Sequence, residues 1–235
     1  VADQIATEDQ QRIETLIAGL PLFKGMARKD VVAVARAARL MRVRRGAWLA
    51  RRGELLPGVF VAAEGMVKLA LRRPDGPERV LRFVGPGEIF GEAAVLLGRE
   101  SPVDVVALSD ATLVVLSASS IRALAVRHAA FVRALAALLA ERMLALMTEV
   151  EASELRPAGE RLAAYLLSLA QPAKDSGPWT ARLPATKTLV AARLGMKKET
   201  LSRLLHDLAS RRLIEVSRRD IAILDRGGLS AIARA

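Results

Sequence analysis

At 235 residues, 52% of them hydrophobic, the chain can bury one large core or two small ones, which excludes a disordered polypeptide. It contains no cysteine, which excludes disulfides, thiolate-bound zinc and a cysteine-ligated iron–sulfur cluster and fits a reducing compartment. The net charge of +11 favours a polyanionic partner, and the excess is uneven: 15 basic against 8 acidic residues from Ser153 onward, 21 against 17 before it.

In chain order, residues 8–20 place Ile13, Leu16, Ile17 and Leu20 at helical spacing, and a second helix is expected near 29–40. From 41 to 116 the texture changes to short apolar runs broken by turn residues, among them Gly46, Gly53, Gly58, Gly65 and the Gly85-Pro86-Gly87 triplet. That rhythm predicts an antiparallel β-roll, with a hairpin pairing 66–72 to 78–84 across Pro74-Asp75-Gly76 and further strands at 103–107 and 112–116. Residues 41–116 hold no histidine, which excludes a cupin-type metal centre inside the roll, and no nucleophile–base pair or phosphate-binding loop suggests an enzyme.

From 119 to 152 the pattern is helical throughout. Val132, Leu135, Leu139, Leu146 and Val150 recur at heptad-like spacing, and extending the repeat puts Arg142 and Glu149 on the same seam. A long helix with such a seam predicts pairing with a second copy of itself, so a homodimer is expected. Its most apolar run, 134–140, is closed by Arg133 and Glu141, well short of the ~20 apolar residues of a spanning helix. No signal peptide is read at the N-terminus, so the expectation is a cytoplasmic protein without a membrane partner.

Pro157 opens a further helix whose buried face is Leu162, Tyr165, Leu166 and Leu169; a loop at 171–178 and a short strand at 179–183 follow. Residues 186–209 read TKTLVAARLGMKKETLSRLLHDLA. Thr186 is a good N-cap, Leu189, Val190 and Leu194 form one apolar face, and Gly195 stands where an interhelical turn requires a positive φ. A second helix from about Lys198 turns Leu201, Leu204, Leu205 and Leu208 inward, which makes a helix-turn-helix. Its outer face carries Glu199, Ser202 and Arg203: Arg203 suits guanine O6 and N7, Glu199 suits cytosine N4, and Ser202 can donate or accept. Thr186, Lys187, Lys197 and Lys198 suit phosphate, as do Arg218 and Arg219 at the tip of a hairpin between 213–216 and 221–224, the wing. The fold class is therefore α+β: an N-terminal β-roll with leading helices (1–118), a dimerisation helix (119–152) and a C-terminal winged helix-turn-helix (153–235) that binds double-stranded DNA.

Two motifs, GPGEIFGEAAVLLG at 85–98 and the helix-turn-helix at 186–209, resemble the Crp/Fnr family, and the likeness runs over nearly the whole chain. It implies a cyclic-nucleotide-binding-like β-roll, base reading by Glu199, Ser202 and Arg203, and RNA polymerase as a partner if the protein activates. The E-T-x-S-R pattern resembles the Fnr-type reader of TTGAT half-sites rather than the cyclic-AMP receptor, which has Gly where Ser202 stands. The C-terminal half, including RLAAYLLSLA and IAILDR, is similar to the dissimilatory nitrate respiration regulators, which respond to nitric oxide. Lys197 stands where relatives often carry a Ser cap.

The resemblance leaves the signal open between two cofactors. In cyclic-AMP-binding relatives a Gly-Glu pair is followed by an Arg-Ser or Arg-Thr pair that neutralises the cyclic phosphate. Gly91 and Glu92 are present, but Ser101-Pro102 stands at the second position with Arg99 two residues earlier. The candidate effector pocket is Gly91, Glu92, Arg99 and Ser101. Haem sensing of nitric oxide requires a ligand, and of the two histidines only His128 falls near the sensor domain, with His206 in the second helix of the helix-turn-helix.

Overall fold

A computed structural model describes residues 2–72, 78–172 and 178–234. The turn expected at 74–76 and most of the 171–178 loop lie outside the described residues. The chain forms two compact units, 1–71 with 81–144 and 72–80 with 145–235. They divide inside the long helix at 144/145 rather than at 152/153.

The first unit opens with α1 (Ala2–Gly19), a 3-10 turn at Pro21–Phe23 and α2 (Arg28–Arg36). The second of these ends four residues before the expected 40, because β1 (Ala38–Val43) already begins there. The roll continues with β2 (Trp48–Ala50), β3 (Gly58–Glu64), β4 (Val67–Leu71), β5 (Arg79–Val84) and β6 (Ile89–Phe90). A short helix α3 (Glu92–Leu97), which the strand rhythm did not announce, precedes β7 (Asp104–Ala107) and β8 (Ala111–Ser117). Two four-stranded sheets result, in orders β1-β8-β3-β6 and β2-β7-β4-β5.

The central strands β3 and β8 pair along their length and are apolar without alternation because both of their faces are covered. Phe60, Ala62, Leu113 and Val115 point between the sheets, where Phe60 stacks on Phe90 at 4.8 Å. Val59, Val61, Val114 and Leu116 point the other way, into a core shared with the flanking helices. That core includes Ile17, Leu20, Phe23 and Val34 from the N-terminal segments.

The helix expected from 119 to 152 is broken. α4 (Ala118–Arg127) and α5 (Ala129–Leu155) meet at His128 with a bend of 112°. The backbone N–H of His128 donates to Leu124 O as the C-cap of α4, and its extended φ of −125° ends that helix. Phe131 and Leu135 of α5 are buried in the first core, with Ala134, Leu138 and Leu139 packed against it. Among the described residues no single helix is long and apolar enough to cross a membrane.

The second unit continues with α6 (Ala158–Leu169), which has Pro157 at its N-cap, then β9 (Ala170–Gln171), β10 (Trp179–Arg182), α7 (Lys187–Arg193), α8 (Lys198–Ser210), β11 (Ile214–Ser217), β12 (Asp220–Ile223) and α9 (Arg226–Arg234). Its sheet runs β11-β12-β10-β9. Leu162, Leu166, Val190, Leu201, Leu205, Ile214, Ile221 and Leu229 fill one core, so the expected inward faces of α6, α7 and α8 meet.

Candidate DNA interface and effector pocket

Three local devices set the second helix of the helix-turn-helix. Thr186 caps α7, its Oγ1 accepting from the Leu189 N–H at 3.4 Å. Gly195 turns the chain with φ +63°, as expected of that position, and the Met196 N–H closes the turn onto Ala191 O at 3.0 Å. Leu201, Leu205 and Leu208 then anchor the inner face of α8, while Arg193 at the end of α7 pairs with Glu149 of α5.

With the inner face fixed, helical geometry dictates the outer one. Glu199, Ser202 and Arg203 are exposed together on α8, and His206, one further turn along, is exposed with them. His206 shares their face because it stands at the i, i+3, i+7 spacing from Glu199 and Ser202. Lys197 occupies the N-cap of α8 without a side-chain cap bond, so its ammonium stays outside the helix end. Lys198 is exposed and Lys187 half-buried.

In the wing, Ser217 pairs with Asp220, so Arg218 and Arg219 form a two-residue turn. Both are exposed, and Arg218 holds φ +54°, a conformation that costs a residue with a Cβ roughly 1 kcal/mol. Among the described residues, the side chains of Lys197, Lys198, Arg203, Arg218 and Arg219 make no ion pair. A row of unneutralised cations flanking a polar helix face fits a polyanion with base edges.

The residues expected along the dimer seam do not share one exposed face. Leu135 is 5% exposed and belongs to the core, Leu139 is packed beside it, Arg142 reaches Glu92, and Glu149 holds Arg193. The exposed stripe is instead Val132, Ala136, Ala140, Met143, Met147 and Val150, with Leu146 at its edge. Apolar residues cover both faces of α5, so a 3–4 spacing could be drawn along either, and the drawn one crossed between them.

The four expected effector residues fall in two places. Gly91 takes φ +86° between β6 and α3, and a Cβ there would approach Leu56 Cδ1 to 2.8 Å. Glu92, the first residue of α3, is buried, and its Oε1 pairs with Arg142 Nη1. Arg142 Nη2 also donates to Ile89 O at 2.8 Å. Burial, and after it the neighbouring charge of Arg82, push the Arg142 guanidinium down to about 10, so it remains cationic at neutral pH. Arg99 and Ser101 sit elsewhere, on a shallow depression of about 550 Å³ with Arg52 and Pro102 that neither Gly91 nor Glu92 lines. The Ser101 hydroxyl already donates to Val103 O at 2.7 Å. His128 lies with Nε2 3.8 Å from Asp30 Oδ1, and no group of three His, Cys, Asp or Glu side chains among the described residues is placed to hold a metal ion.

The comparisons agree with this architecture. Residues 40–128 match the cyclic nucleotide-binding domain family, and residues 160–232 match the Crp-like helix-turn-helix domain. The chain is 30% identical to the cyclic AMP receptor protein of Thermus thermophilus over 92% of its own length and 97% of that protein's. FixK2 of Bradyrhizobium japonicum superposes with a TM-score of 0.75 at 23% identity, covering 84% of this chain and 98% of that one. A CooA variant from Carboxydothermus hydrogenoformans superposes at 0.74 with 21% identity, covering 84% and 88%; at such identities both show the fold alone. Neither match singles out the nitrate respiration branch. With β-roll, long helix and winged helix-turn-helix in this order, and a relative matched almost end to end, the chain belongs to the Crp/Fnr family of DNA-binding transcription regulators.

Proposed function

We propose that the protein binds, as a homodimer, a palindromic site of TTGAT type, with α8 in the major groove. The observation that carries this reading is the exposed Glu199, Ser202 and Arg203 row on α8, flanked by the unpaired cations of Lys197, Lys198 and the wing. Arg203 and Glu199 supply base recognition; the lysines and the wing supply phosphate contacts that fix orientation. The exposed stripe of α5 pairs the two copies, because a second copy offers the same stripe and a two-fold axis matches a palindrome. Fluorescence anisotropy against a duplex carrying two inverted TTGAT half-sites, centred about 10 base pairs apart, tests this directly. Preference over a scrambled duplex, lost in Arg203→Ala, is the expected result; equal affinity for both duplexes would overturn the base assignment.

For the signal we favour a small ligand in the β-roll. The relative named as a cyclic AMP receptor and the Gly91-Glu92 pair support it. The residues fit haem less well: His128, the only histidine of the first unit, has its Nε2 turned to Asp30, so nitric oxide sensing at that residue would have to displace the carboxylate. Titration with haem, followed in the Soret region, separates the two: a saturable band at one haem per chain, lost in His128→Ala, would replace the small-ligand reading.

A further inference from the structure

Between α8 and the wing runs a groove of about 570 Å³. Ser202, from the exposed row of α8, lines it, and one turn further so does His206. The other polar groups of its wall are Lys187 of α7, Arg212 after α8 and Glu215 of β11. His206, Arg212 and Glu215 are exposed and Lys187 is half-buried, and none of the four makes an ion pair among the described residues. On α8 itself the charged neighbours of His206 are Arg203, three residues before it, and Asp207, which is turned to Arg211 at 3.7 Å. Apart from the imidazole, the groove therefore holds two fixed cations, Lys187 and Arg212, against the single carboxylate of Glu215.

Arg212 is held there at a cost. The Arg212 N–H donates to Ala209 O at 3.0 Å, the Leu213 N–H donates to Leu208 O at 3.1 Å, and φ of Arg212 is +57°. This pair of bonds ends α8 in the way that usually falls on a glycine, because a Cβ in the left-handed region costs roughly 1 kcal/mol. What a glycine would lack is the side chain, and the strained backbone sets that guanidinium in the same groove as His206.

With the start of α8 in a major groove and the wing tip on the backbone, the space between them faces the strand that joins the two contacts. We infer that this groove seats a DNA backbone phosphate beside the half-site, held by Lys187 and Arg212 and, when its imidazole is protonated, by His206, so that acidification strengthens DNA binding. The inference rests on the reading of α8 as the helix that enters the major groove, and adds a contact outside its exposed row. A neutral imidazole offers one N–H donor and no charge; an imidazolium offers two donors and a positive charge. Phosphate favours the protonated form, so binding takes up a proton. The gain is complete on the acid side and is lost as pH rises through the titration of the imidazole.

Fluorescence anisotropy of the full chain tests it, against the inverted TTGAT duplex and the scrambled one, from about pH 5.5 to 7.5 at constant ionic strength. Affinity for both duplexes should fall by roughly 10-fold over that range. The slope of log affinity against log salt should become shallower by about one unit for each chain engaged. The chain has only two histidines, so the source of the effect can be isolated. His206→Gln should flatten the profile and His128→Gln should leave it intact. His206→Lys, a permanent cation, should flatten it at the high-affinity end, a rescue that a merely structural role would not give. Arg212→Gly relieves the strained backbone and should be no less stable in urea, yet bind both duplexes more weakly at every pH. A flat profile in the wild type would overturn the inference, and so would a dependence that survives in His206→Gln. A pH-dependent preference between the duplexes would make His206 a base reader and overturn the phosphate seat. Binding to neither duplex at any pH would remove the reading of α8 as well, which keeps the two failures distinct.

Discussion

The two units use arginine in opposite ways. In the winged helix, Arg203, Arg218 and Arg219 project outward with no ion pair among the described residues. In the β-roll, Arg82 and Arg142 are drawn inward, onto a backbone carbonyl and a buried glutamate. An exposed cation keeps its hydration and is available to a partner, so its worth appears on binding. A buried one has already lost water, so its worth appears in the stability of the fold. The same residue type therefore stays solvated and free in one place and becomes part of the fold in the other, and burial decides which.

The largest effect that could break this comparison is expected at Glu92. Replacing it with glutamine removes the contacting countercharge from Arg142 and leaves two cations around Ile89 O. Breaking a buried pair in this way should cost about 3 kcal/mol of stability, read as a lower urea midpoint with an unchanged slope. Arg42→Ala, which breaks the exposed pair with Asp9, should change stability by less than about 1 kcal/mol. Equal effects would mean that the two classes of arginine do not differ.

Arg203→Ala is the next in size. It should cost about 1–3 kcal/mol on the preferred duplex and leave binding to a scrambled duplex almost unchanged, because a base contact discriminates and a phosphate contact does not. Its urea midpoint should match wild type, since the side chain is exposed. Lys197→Ala should do the reverse on DNA. Affinity for both duplexes should fall together, and the slope of log affinity against log salt should become shallower by about one unit. A change of preference rather than of slope would make Lys197 a base reader.

Most of the fold was legible because its signals are local. The turn residues marked the roll, Gly195 marked the interhelical turn, and Thr186 marked the start of α7. The outer face of α8 was legible for the same reason: once Leu201, Leu205 and Leu208 turn inward, Glu199, Ser202 and Arg203 have nowhere to go but out. What was not legible depends on contacts far apart in the chain. The break at His128 falls in a stretch of good helix formers and is set by the packing of Ile121 and Leu124 on one side and Phe131 on the other. Which apolar face of α5 stays exposed was not legible, because only the tertiary fold tells which one the β-roll covers. Glu92 and Arg142 are fifty positions apart, and Arg82 reads as an ordinary polar residue of a strand until Ile89 O is seen to receive both guanidiniums.

The smallest effect is the most discriminating about the wing. Arg218 holds φ +54° at the first position of its turn, where asparagine is tolerated better than arginine. Arg218→Asn should therefore hold or raise the stability of the second unit, by at most about 1 kcal/mol, while removing a cation from the tip. If the wing lies on phosphate, the variant should bind both duplexes more weakly and with a shallower salt slope even though it is no less stable. Stability and affinity then move in opposite directions, which an indirect effect through folding cannot produce. If affinity held while stability rose, the arginine would be no phosphate ligand, and the wing would have to leave recognition to α8 and the lysines at its start.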